Sequence, residues 1–161
     1  MPDYSDDFLR RVLEEAKVIA MVGASTNTVR ASYFVASYLN ARDRRIIPVN
    51  PAQAGQTLFG ETVLSDLSEI ADQVDMVDIF RRSEHVPAIV DDALKHLMPG
   101  LKSIWMQFNV INEEAAQIAE AAGLDVVMDR CPKVEYARLM REIGAVGIPS
   151  GIVSSRLTRK F

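Results

Sequence analysis

The chain has a single cysteine, Cys131, and only two histidines, His85 and His96, among 161 residues. One cysteine cannot close an intrachain disulfide, so a small secreted scaffold held by bridges is excluded. A structural zinc site on paired cysteines is excluded with it, and the two histidines lack H-x-x-x-H spacing. No apolar run approaches the ~18 residues that a membrane-spanning helix needs. The first residues, Met1-Pro2-Asp3-Tyr4-Ser5-Asp6-Asp7, are acidic where a signal peptide is basic. These absences point to a cytoplasmic protein. The sequence also lacks a G-x-S-x-G elbow, a Walker A lysine and paired metal carboxylates, so no catalytic residue and no metal ligand are expected.

What is present is the composition of an ordinary folded domain, 48% hydrophobic and 25% charged. The length suits one domain with a sizeable core. The net charge of −4 gives no general drive toward nucleic acid or an anionic membrane. Its distribution is uneven, because residues 129–161 carry seven basic and three acidic side chains. Residues 1–143 read as the folded domain, and 144–161, with three glycines, a proline and a basic end, as a C-terminal tail.

Short apolar runs alternate with stretches of helical period. The runs are Lys17 to Val22, Arg45 to Val49, Val74 to Phe80, Ser103 to Met106 and Leu124 to Met128. Continuous apolar runs of this length suit parallel strands covered on both faces. Between them, Phe34, Val35, Tyr38 and Leu39 form one apolar stripe, and Val86, Ile89, Val90, Ala93, Leu94 and Leu97 form another. Asn112 followed by two glutamates opens a further helix, which Gly123 closes. A helix over 7–16 precedes the first strand, and weaker helical stretches run from Leu64 to Ile70 and from Val134 to Arg141. The fold expected is α/β, a Rossmann-like, doubly wound, parallel five-stranded sheet flanked by helices. Ligands of such sheets bind at the carboxyl ends of the strands, near the switch point.

The first strand end reads Gly23-Ala24-Ser25-Thr26-Asn27-Thr28-Val29-Arg30. Glycine permits the tight turn, and small polar residues before a helix N-terminus suit an anion. A branched side chain at Gly23 is expected to impair binding and spare the fold. The plain alternative is an ordinary turn with Thr28 as N-cap. The dinucleotide fingerprint G-x-G-x-x-G is absent, since positions 25 and 28 are Ser and Thr. Val49-Asn50-Pro51 follows the second strand without the acid that would accept from a ribose hydroxyl, which disfavours a nicotinamide-dependent oxidoreductase. After the third strand, the adjacent Arg81 and Arg82 either grip phosphates or form a solvated pair, one of them bonded to Asp78. The fourth strand ends at Met106-Gln107-Phe108-Asn109, which offers amides and an apolar wall. Beyond the fifth, Cys131 lies between Arg130 and Lys133 and is either a reactive thiol or a small buried hydrophobe.

Taken together, these segments resemble the stand-alone CoA-binding domain proteins, relatives of the CoA-binding domain of the succinyl-CoA ligase alpha subunit. The resemblance rests on Val22 to Ser25, on Arg30, Ser32, Tyr33, Val35, Ala36, Tyr38 and Leu39, and on Ile46 to Pro51. It continues through Val77 to Glu84, Ile104 to Gln107, Asn112 to Ala116 and Val127 to Glu135. It implies coenzyme A, or an acyl-CoA, held through its ADP moiety. By position, Gly23, Ala24, Ser25, Thr26 and Arg30 would meet phosphates, and Val49, Asn50 and Pro51 would line the adenosine side. Phe80, Arg81, Arg82, Met106 and Gln107 would border the pantetheine and phosphate path. Asn109 stands where the family usually has glycine, and Ala31 where it often has proline. The ligases carry a second domain with a phosphohistidine, so their reaction is not expected of this chain alone. A nicotinamide-dependent oxidoreductase and a ligand-free interaction module with a protein partner remain as alternative readings.

Overall fold

A computed structural model describes residues 2–140, and the expected tail over 144–161 lies outside them. In chain order the elements are α1 (Asp6–Glu15), β1 (Val18–Val22), α2 (Ala31–Asn40), β2 (Arg45–Val49), β3 (Thr57–Leu58) and β4 (Glu61–Thr62). Then follow β5 (Met76–Ile79), α3 (Val86–His96), β6 (Ser103–Met106), α4 (Glu113–Ala121), β7 (Asp125–Val127) and α5 (Pro132–Leu139). Five strands form one parallel sheet in the order β2-β1-β5-β6-β7. The chain moves outward from β1 to β2 and then returns to the other side of β1 as β5. The switch point therefore lies between β1 and β5, as the doubly wound, Rossmann-like pattern requires.

Each face of the sheet is covered. Val86, Val90 and Ala93 of α3 and Ala115, Ala116 and Ala119 of α4 pack on one side with Ala20, Ile47, Val77 and Ile104. Leu9, Val12 and Leu13 of α1 and Val35, Ala36 and Leu39 of α2 pack on the other with Ile19, Met21, Ile46, Met76 and Trp105. Alternate residues of each strand thus enter opposite cores, which is why the strands read as unbroken apolar runs.

Local chemistry sets the helix ends. Ser5 accepts the Phe8 N–H and starts α1 one residue before the expected position. Asn112 accepts the Ala115 N–H to start α4, and Gly123, at φ +93°, ends it. Other expectations need correction. The stretch from Leu64 to Ile70 is helical only as a single 3-10 turn, Leu67–Glu69, capped by Asp66. The helix expected from Val134 begins earlier, with Pro132 in its first turn, and Arg141, its expected end, lies outside the described residues. The β3–β4 hairpin was not apparent in the sequence. Its turn puts Phe59 and Gly60 at φ +49° and +80°, a backbone that usually asks for Asn-Gly or Gly-Gly. Phe59 is retained there by packing on Tyr33, ring centroids 5.3 Å apart.

Candidate ligand-binding site

β1 delivers its last residue, Val22, to the carboxyl edge of the sheet, and Gly23 turns the chain at φ +88°. Its N–H donates to Val49 O at 2.8 Å, and a Cβ at this position would strike the carbonyl oxygen of Phe80. Only glycine satisfies both constraints. The expectation that a side chain here spares the fold is therefore corrected, because it would push apart the ends of β1 and β5. The loop that follows is tied to the end of β2. Asn50 Nδ2 donates to Ala24 O at 2.8 Å, and its Oδ1 accepts the Ala52 N–H at 3.0 Å. The Thr26 N–H donates to Gln53 Oε1 at 2.9 Å, and its hydroxyl to Gln56 Oε1 at 2.8 Å. Ser25 Oγ accepts from the Asn27 N–H, and Asn27 Oδ1 from the Val29 N–H.

α2 begins without a side-chain cap. Arg30 occupies the N-cap position but makes no cap hydrogen bond, and the first turn holds no acid. Thr28, the N-cap of the plain-turn alternative, lies two residues before the observed N-cap position. The open helix end faces a cleft of about 440 Å³ lined by Gly23, Ser25, Asn27, Arg30, Ala31, Ser32, Asn50, Ala52, Gln53 and Phe80. None of these residues is acidic. Backbone donors, the positive end of the helix dipole and one guanidinium all favour an anion here.

Of the residues singled out from the sequence, Gly23, Ser25, Arg30, Asn50 and Phe80 line this cleft. Ala24 is buried under the loop, and Thr26 is engaged by the two glutamines. Val49, Pro51 and Arg81 border a separate cavity of about 170 Å³, beside Asp66 and Asp92. Arg82 is exposed just beyond β5, and Met106 is wholly inside the core. Gln107 lines a further cavity at the ends of β6 and β7. His85 is half-buried ahead of α3, and His96 is exposed at its end. Asn27, Ala31, Ser32, Ala52 and Gln53 were missed. Ser32 and Ala31 carried a signal, since the first turn of a helix after a strand-end loop is where its free N–H groups lie.

Two ionisable groups are shifted by burial. Asp78 is completely buried, and neither carboxylate oxygen has a hydrogen-bond partner. Neither arginine reaches it, so the expected pairing is overturned, and burial pushes its pKa well above the carboxylate range. Burial without a counter-ion favours the neutral carboxyl over the charged one. Burial likewise pushes the Cys131 thiol up, against smaller opposing hydrogen bonds from Val134, Gln107 and Lys133. Arg130 and Lys133 are not what sets its pKa, because burial is the largest cause and acts in the opposite direction. Among the described residues no group of three or more His, Cys, Asp or Glu could hold a metal ion, and no helix is long and apolar enough to cross a membrane.

Comparison with known proteins follows the same lines. An uncharacterised Bacillus subtilis protein, YneT, is 36% identical over 129 residues, covering 80% of this chain and 92% of its own. A Thermus thermophilus protein of solved structure is 35% identical, with a TM-score of 0.78 over 84% of this chain and 99% of that one. An acetyl-coenzyme A synthetase of Candidatus Korarchaeum cryptofilum shares the fold at 23% identity and a TM-score of 0.61. That likeness covers 76% of this chain and 27% of the synthetase. Residues 17–137, which run from the start of β1 into α5 and include the whole cleft, match the CoA binding domain, and the chain belongs to that family.

Proposed function

We propose that the protein binds coenzyme A through its ADP moiety in the cleft between the ends of β1, β2 and β5. The observation that carries this reading is the uncapped N-terminus of α2, set beside Arg30 in a cleft lined by no acidic side chain. Phosphate oxygens there would accept from the first-turn N–H groups of α2, from Ser25 and Ser32, and from the guanidinium of Arg30. Asn50 would border the adenosine, acting chiefly through its hold on Ala24, while Val49 and Pro51 line the neighbouring cavity instead. Phe80 and Arg82 would guide the remainder of the molecule away from the phosphates. The family to which the chain belongs supports the identity of the ligand. The assignment is to binding, because the cleft walls offer hydroxyls, amides and one guanidinium, none of which exchanges a proton near neutral pH.

Titration calorimetry of the full chain with CoA, NAD and NADP tests the proposal. CoA is expected to bind well above both nicotinamide dinucleotides. Arg30→Ala is expected to weaken CoA by about 1.5–3 kcal/mol, the range for a hydrogen bond to a charged group. Tighter binding of NAD or NADP than of CoA would overturn the reading.

A further inference from the structure

Beyond Phe80, the carboxyl edge of the sheet opens into a second cavity of about 440 Å³, between the ends of β6 and β7 and the start of α5. β5 and β6 pair with Ile79 opposite Met106, so the next residues, Phe80 and Gln107, stand side by side about one strand spacing, ~5 Å, apart. Phe80 walls the first cleft and Gln107 the second. Phe80 and Cys131 also pack against the same core cluster, which places both cavities on one face of the sheet.

The second cavity is preformed. The Asn109 N–H donates to Asp129 Oδ1 at 2.7 Å, the Asp129 N–H to Val110 O at 3.2 Å, and Trp105 Nε1 to Arg130 O at 2.8 Å. Its walls are mainly apolar, with Phe108, Cys131 and Val134 among them. The charged residues of the lining turn their head groups to other partners. Arg130 donates to Asp129 O and Pro2 O, Glu135 accepts from Arg138, and Asp129 accepts from Asn109. Gln107 Oε1 is buried without a partner, as are both oxygens of the neutral Asp78 on the neighbouring strand.

We infer that this second cavity receives the acyl end of an acyl-CoA, so that the protein prefers a CoA thioester to the free thiol. The inference rests on the CoA reading and adds the class of ligand. A mainly apolar chamber whose charged side chains are held by other partners gains free energy when apolar surface fills it, and the bare thiol of CoA brings little. Cys131 is suited to such a neighbour, because a half-buried thiol whose pKa burial raises is a poorer nucleophile toward a bound thioester.

Titration calorimetry of the full chain with CoA, acetyl-CoA and hexanoyl-CoA tests this. Hexanoyl-CoA is expected to bind at least tenfold tighter than CoA, with acetyl-CoA between them. Val134→Phe, which fills the chamber from α5, is expected to abolish that advantage and leave CoA binding within threefold. Should that variant fail to fold in a thermal melt, Val134→Leu, expected to reduce the advantage in part, carries the test. Equal affinities for CoA and hexanoyl-CoA would overturn the acyl preference alone, as would an advantage unchanged in the folded Val134 variant. Failure of every CoA species to bind would overturn the CoA reading as well.

Discussion

Asp78 lies in β5 between Met21 and Trp105 of the adjoining strands, fully enclosed and with no partner for either oxygen. In sequence it looked like a carboxylate in need of a counter-ion, and the two arginines after it looked like the supply. The sheet forbids this: Phe80 leaves the strand at the edge, and Arg81 and Arg82 are carried onto the rim. The carboxyl avoids the cost of a buried charge by staying protonated. Its folded pKa is raised above the unfolded value, so the folded state holds a proton that the unfolded state releases. Stability is then greatest below the unfolded pKa and falls as pH rises toward the folded one. Asp78→Val is expected to stabilise the protein by about 1–3 kcal/mol at pH 7, the cost of one buried unsatisfied polar group. Urea denaturation should show a smaller gain at pH 4 than at pH 7, and a gain independent of pH would contradict a raised carboxyl. Gly23 is the second residue whose role the structure sharpens. Gly23→Ala places a β-carbon against Phe80 O at positive φ, a strain of about 1–3 kcal/mol. Thermal melts without ligand should record that loss, and an unchanged melting temperature would mean that the β1–β5 ends give way freely.

At the scale of elements, α2 differs from α1 and α4 in one respect. α1 has Ser5 as cap and Asp6 and Asp7 in its first turn, and α4 has Asn112 with Glu113 and Glu114. α2 has neither cap nor acid, yet it is the helix that points at the loop after β1. A cap or a first-turn acid at α2 would add about 0.3–1 kcal/mol or somewhat more of stability and would disfavour an anion. α3 lacks both as well, but a 3-10 turn, Ser83–His85, leads into it. Ala31→Asp separates the two demands. The new carboxylate interacts favourably with the helix dipole, so the unliganded protein should melt at the same temperature or slightly higher. It also sits where phosphates are proposed to bind, so CoA affinity should fall at least tenfold. Calorimetry and a thermal melt on one variant measure both, and retained affinity would place the phosphates elsewhere. Capping chemistry of this kind was read from the sequence for α4, where Asn-Glu-Glu declares itself, but not for α1, whose Ser5 cap starts the helix one residue before the expected position. At α2 the plain alternative, Thr28 as cap, does not hold, because Asn27 folds the chain into its own turn first. The β3–β4 hairpin stayed hidden because Phe59 adopts a backbone usually left to glycine or asparagine, for the sake of a contact with Tyr33 that is remote in sequence. Asn109, by contrast, takes φ +70° in place of a glycine, the substitution that residue tolerates best.

For the whole molecule, the parallel five-stranded sheet flanked by helices followed from apolar runs and the crossover rule, but its strand order and the closure of its edge did not. β7 is an edge strand, and its neighbourhood is covered by the N-terminal segment. The Met128 N–H donates to Tyr4 Oη at 2.8 Å, Arg130 reaches Pro2 O at 2.7 Å, and Arg11 pairs with Asp125 at 2.8 Å. Arg138 of α5 bonds Asp6 at 2.9 Å, so the same segment also holds the helix that walls the second cavity. These contacts join residues more than a hundred positions apart, and neither periodicity nor spacing could reveal them. In the sequence Tyr4 was merely one residue of an acidic leader. It is instead an edge guard, supplying to β7 the acceptor that a further strand would have supplied and blunting an edge open to pairing with another chain. Tyr4→Phe removes that acceptor and keeps the ring stacked near Phe8, where the centroids lie 5.7 Å apart. The expected cost is about 1–2 kcal/mol, the penalty of a buried N–H left without a partner. Hydrogen exchange should locate it: the Met128 amide should exchange faster, with Phe80, whose N–H donates to Val22 O in the middle of the sheet, changed only by the global loss. An unaltered Met128 rate at unaltered stability would show that the N-terminal segment does not guard the edge.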